Sequence, residues 1–64
     1  MIEIVYKNGM KDIFEIYSES DDYIVWKDYA QNLIKINKYT GKTTLLYNGN
    51  WMHYDMSIES YKKL

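Results

Sequence analysis

His53 is the only histidine in the chain, and Asp55 stands two places on, on the same side of a strand. A carboxylate can orient an imidazole for general-base work, so this pair is the most reactive combination in the chain. Such a pair activates a nucleophile only when a serine, threonine or cysteine is held beside it, and no motif places one there. An exposed strand histidine is the simpler reading, and the expectation is a protein that is not an enzyme. With one histidine and no cysteine, the nitrogen and sulfur ligands of a transition-metal centre are missing. Glu19, Asp21 and Asp22 cluster in the Ser18–Asp22 segment, but the central glycine and distal glutamate of a calcium loop are lacking. They read as a solvated acidic turn, or as an acidic tip facing a basic partner surface. Thr40-Gly41-Lys42-Thr43 contains the letters of a phosphate loop without its upstream glycine or following helix, and a hairpin turn explains it. Neither a metal nor a cofactor is expected.

The elements that position these residues are strands. Apolar side chains recur every second residue from Ile2 to Tyr6 and from Ile13 to Tyr17, and Asn8-Gly9 turns the chain between them. A three-residue turn there keeps Ile2, Ile4 and Tyr6 on one face with Met10, Phe14 and Ile16. Five-residue connections at Ser18–Asp22 and Asp28–Asn32 pair Tyr17 with Tyr23 and Lys27 with Leu33. They bring Ile24, Trp26, Ile34 and Ile36 to the same even-numbered face. Odd connections across Thr40-Gly41 and Asn48-Gly49-Asn50 then add Leu46, Met52 and Tyr54. A two-residue turn at Asn48-Gly49 is the alternative, pairing Tyr47 with Asn50 and moving Trp51 inward in place of Met52. In the tail, Ser57 suits an N-cap and Ile58, Tyr61 and Leu64 fall on a helical stripe, which predicts a short helix within residues 55–64. The expected fold is all-β: residues 1–64 as one small domain, an antiparallel meander of five or six strands, strongly bent or closed into an SH3-like barrel, with a short C-terminal helix.

At 64 residues the chain buries only about 60% of its unfolded surface, so its core must be dense or it must associate. Its 47% hydrophobic content, with eight tyrosines and two tryptophans, favours density. A net charge of -1, made of eight lysines, no arginine and nine acids, speaks against affinity for duplex nucleic acid. Met1 to Gly9 has no basic start and an interrupted apolar run, and no stretch approaches a membrane span, so a soluble cytoplasmic protein is expected. Abundant Lys, Ile, Asn and Tyr, with no Arg or Pro and little Ala, suggest an AT-rich coding genome.

The odd-numbered face is the more informative one. Val5, Ile13, Tyr17, Tyr23, Val25, Leu33, Leu45, Tyr47 and Trp51 are interleaved there with Glu3, Lys7, Lys11, Glu15, Lys27, Lys35 and His53. A sheet side that only met water would be richer in charge, although a curled sheet would cover part of this one. The leading expectation is a non-enzymatic protein-binding module, self-associating, with Tyr17, Tyr23, Tyr47 and Trp51 as anchors and Glu19, Asp21 and Asp22 supplying charge complementarity. The coding bias makes a phage or mobile-element inhibitor that blocks a surface of a larger host protein a natural version of it. The alternative is a nucleotide- or single-strand-binding module that stacks bases on the same aromatics.

Overall fold

A computed structural model describes residues 1–64. Eight antiparallel strands form two sheets with no helix: β1 (Ile2–Tyr6), β2 (Lys11–Phe14), β3 (Ile16–Glu19), β4 (Tyr23–Lys27), β5 (Leu33–Asn37), β6 (Thr43–Tyr47), β7 (Asn50–His53) and β8 (Ile58–Lys63). The smaller sheet has the order β2-β1-β8, and the larger is a meander, β3-β4-β5-β6-β7. Glu15 alone separates β2 from β3 and marks the corner where the chain passes from one sheet to the other. The barrel is not closed: β7 and β8 do not pair, and each is an edge. No helix is long and apolar enough to cross a membrane.

The period-two pattern finds its core between the sheets. Ile2, Ile4, Phe14, Ile24, Trp26, Ile34 and Ile36 form one buried cluster, and Tyr6, Ile16, Leu45, Met56, Ile58 and Tyr61 pack around it. The expected same-parity pairings hold across the first hairpin, where Ile2 faces Phe14, and across β4 and β5, where Trp26 faces Ile34 and Lys27 faces Leu33. Tyr6 staples the first turn by donating its hydroxyl to Asp12 Oδ2 at 2.9 Å. Partial burial and that bond push its pKa up to about 12. Met10, expected on the inner face, is exposed at the end of the turn.

Three connections differ from the expected ones. The Ser18–Asp22 loop is a two-residue turn at Asp21-Asp22, with the Ser20 N–H donating to the Tyr23 carbonyl at 2.9 Å. Tyr17 is therefore not opposite Tyr23; the loop is three residues shorter than expected, and a bulge at Tyr17 restores the parity, so that Ile16 faces Trp26 in place of Ile24 although Ser18 faces Val25. Between β5 and β6 the connection is even, Lys38 to Gly41, because Asn37 Oδ1 accepts the N–H groups of both Tyr39 and Thr40. Leu45 rather than Leu46 therefore stands opposite Ile34, and Thr43 rather than Thr44 opposite Ile36. The Asn48-Gly49 turn is the two-residue form, with φ of 50° and 79° at its two positions, and it pairs Tyr47 with Asn50. Two even connections in succession cancel. Met52 stays on the inward side opposite Leu45, and Trp51 stays on the outer side opposite Leu46.

The expected C-terminal helix is replaced by β8. Ile58 faces Tyr6 but Ser60 faces Val5, so Glu59 is an extra residue that lets side chains three apart share a face. Ile58 and Tyr61 both reach the core this way. Ser57, the expected N-cap, has a φ of 53°, and its N–H donates to Asp55 Oδ1 at 2.8 Å.

Candidate functional site

Strand alternation on the larger sheet gathers Tyr23, Val25, Lys27, Leu33, Lys35, Thr44, Leu46, Trp51 and His53 on its outer side, with Tyr17 projecting at the bulge of the neighbouring strand. Tyr17 is 62% exposed, Tyr23 37% and Trp51 39%, whereas Val25 is covered by its neighbours. Lysines sit over the rings. Lys27 Nζ lies 5.6 Å from the Tyr17 ring centroid, and Lys35 Nζ lies between two rings, 4.3 Å from that of Trp51 and 5.1 Å from that of Tyr23. Each such contact contributes about 0.5–1 kcal/mol at an exposed site, enough to hold the ring and ammonium in register.

The strands of this side, β4, β5, β6 and β7, contribute lysines and no acid, and Lys27, Lys35 and Lys42 make no ion pair. Of the acids that sequence position assigns to the same face, Glu3 lies on β1 and reaches Lys62 at 4.0 Å, and Glu15 stands at its border, at the corner beside Tyr17 and Lys27. Between Tyr23, Lys35, Asn37, Thr40, Lys42 and Thr44 the surface sinks into a shallow depression of about 320 Å³. Thr44 lines it, and its Oγ1 is buried with no hydrogen-bond partner. Two lysines without an ion pair, Lys35 and Lys42, line this depression and suit an incoming anionic group.

The residues expected to act together divide. Tyr17, Tyr23 and Trp51 share the outer side, but Tyr47 faces the other way, in line with Leu45. Glu19 is engaged within the fold: its Oε2 accepts from Lys38 Nζ at 2.8 Å and from Lys63 Nζ at 2.9 Å. Those two bonds hold its carboxyl at a pKa of about 2. It ties the end of β3 to the β5–β6 turn and to β8, so the acids of the tip that make no ion pair are Asp21 and Asp22, both exposed. His53 and Asp55 line one depression with Lys7, Lys42 and Thr43, but no hydrogen bond joins them; the Asp55 carboxylate is turned to the Ser57 N–H, and Thr43 Oγ1 donates to the Tyr54 carbonyl. Lys42 and Thr44 are the contributors that sequence reasoning missed. Lys42 lies in the segment that the sequence marks as a turn, and an odd connection before β6 would place Thr44 inside. Comparison with protein-family models, with curated proteins and with solved structures finds no match for this chain.

Proposed function

We propose that the protein is a binding module whose outer sheet face recognises an acidic segment of a larger protein, occupying that surface sterically as an inhibitor would. The observation that carries this reading is the outer face itself: three exposed aromatic rings among lysines that make no ion pair. Rings at the centre supply contact area, and ammonium groups around them select for negative charge.

The same arrangement favours a second reading, a nucleotide or single strand with its phosphate in the depression lined by Lys35 and Lys42. Two facts rank it lower. Lys35 already occupies the ring faces of Tyr23 and Trp51 on which a base would stack, and a chain of net charge -1 without arginine has little to steer a polyanion. The test is affinity capture from a host lysate with the wild type, Lys35→Glu, Tyr23→Ala and Trp51→Ala, each checked for fold by circular dichroism. A protein retained by the wild type and lost from Lys35→Glu supports the reading, and equal capture by all four removes the outer face from binding. Fluorescence titration of Trp51 with mononucleotides and single-stranded oligonucleotides at several salt concentrations addresses the second reading, which ends if no quenching occurs.

A further inference from the structure

The four sheet edges are not equally protected. Along β2, Lys11 and Asp12 put charge on the edge, and Tyr29 folds over it, packing on Phe14 at 5.0 Å with its hydroxyl 3.4 Å from the Ile13 carbonyl. β3 is bent by its bulge and ends in the paired Glu19. β8 carries Glu59, Lys62 and Lys63 and has a bulge of its own. These are the devices by which an edge refuses another strand. β7 has none of them: Asn50–His53 contains no formal charge, no proline and no bulge, and all four residues are exposed.

Its free hydrogen-bonding groups can be assigned. The two-residue turn makes Tyr47 and Asn50 a hydrogen-bonded pair, and the Tyr54 N–H donates to the Thr43 carbonyl at 3.1 Å. Antiparallel pairing alternates, so Asn50, Met52 and Tyr54 point their backbone groups at β6 while Trp51 and His53 point theirs away. No turn or loop hydrogen bond uses the backbone of either residue. Each strand therefore offers two N–H and two C=O groups at one flat edge.

We infer that β7 pairs antiparallel with β7 of a second copy about a two-fold axis through Met52, joining two larger sheets into one of ten strands. Among antiparallel registers, this one uses every free group. Trp51 exchanges both backbone hydrogen bonds with His53 of the second copy and His53 does the same with its Trp51, giving four bonds. Met52 then faces Met52 of the second copy at a non-hydrogen-bonded position, covering a side chain that is 54% exposed. Tyr54, exposed on the same side, lies over Asn50 of the second copy. Self-pairing of β7 in this register brings no formal charges together. The pairing is independent of the acidic-segment reading and would lay two outer faces side by side.

The contact is small beside the ~1,200–2,000 Å² of stable complexes, so association in the micromolar range is expected. Sedimentation of the wild type should show the mass doubling with concentration, and the amides of Trp51 and His53 should gain hydrogen-exchange protection as the dimer fills. His53→Pro removes an edge donor without touching the bonds to β6, and Met52→Lys sets two ammonium groups across the axis. Each should weaken dimerisation at least tenfold with the circular dichroism unchanged. The chain has no cysteine, so Met52→Cys should oxidise to a disulfide dimer; Cα atoms ~4.5 Å apart at such a position lie within the reach of that bond. Met10→Cys, at a comparably exposed turn position, serves as the collision control. A wild type that stays monomeric up to ~1 mM, or Met52→Cys oxidising no faster than Met10→Cys, overturns the inference.

Discussion

Trp26 offers the sharpest test of the core. It is fully buried and stacked on Phe14 with centroids 6.0 Å apart, yet its indole Nε1 has no hydrogen-bond partner. Trp26→Phe keeps a ring for Phe14 and deletes the stranded donor. The loss of two ring carbons at ~0.8 kcal/mol for each buried CH₂-sized group comes to roughly 1.6 kcal/mol. Against it stands relief of an unsatisfied buried donor, worth about 1–3 kcal/mol. The two nearly cancel, so Trp26→Phe should lie within ~1 kcal/mol of the wild type. Trp26→Ala keeps neither ring nor volume and should lose about 3–5 kcal/mol, much of the roughly 3–10 kcal/mol available to a domain of this size. Urea unfolding followed by far-ultraviolet circular dichroism measures both without relying on tryptophan emission. If Trp26→Phe loses more than ~3 kcal/mol, the indole N–H is a working donor and the reasoning fails.

The register at β6 is tested by Leu45→Ala and Leu46→Ala. The first should destabilise by about 2 kcal/mol and the second by less than ~1 kcal/mol, because Leu45 packs on the core and Leu46 lies on the outer face; the reverse order restores an odd connection. The Glu19 carboxyl is held at about 2 against an ordinary 4.5. Its folded pKa is depressed, so its contribution is present above pH 4.5 and disappears as the pH falls towards 2. The difference in melting temperature between the wild type and Glu19→Gln should shrink over that window, and a constant difference would mean that the Lys38 and Lys63 contacts do not form in solution.

Much of this architecture is legible in the residues because burial has a period. Ile4, Phe14, Ile24 and Ile36 meet in one core, as their even numbering requires, and the outer aromatics Tyr17, Tyr23 and Trp51 follow from the same count. Connection length is where the count goes astray, since side chains decide it locally. Asn37 closes a four-residue turn by capping two N–H groups, and Asn48-Gly49 adopts positive φ at both positions. The discrepancies occur in compensating pairs, because a strand left with its apolar side outward would lose the core. The tail misleads for a related reason: one extra residue at Glu59 gives Ile58 and Tyr61 the spacing of a helix while they point inward from a strand. The free lysines of the outer face are hidden in the sequence because charge pairing depends on which strands become neighbours.

The first strand of the chain is the middle strand of its sheet. Ile2 pairs on one side with Phe14, within a local hairpin, and on the other with Lys63, near the opposite end of the chain. The β1–β2, β4–β5 and β6–β7 hairpins need only short-range closure, whereas docking β8 must wait for the whole intervening length to be drawn together. Assembly of these strands is therefore expected to finish with β8, and until β8 docks one flank of β1 stays open to any passing extended segment.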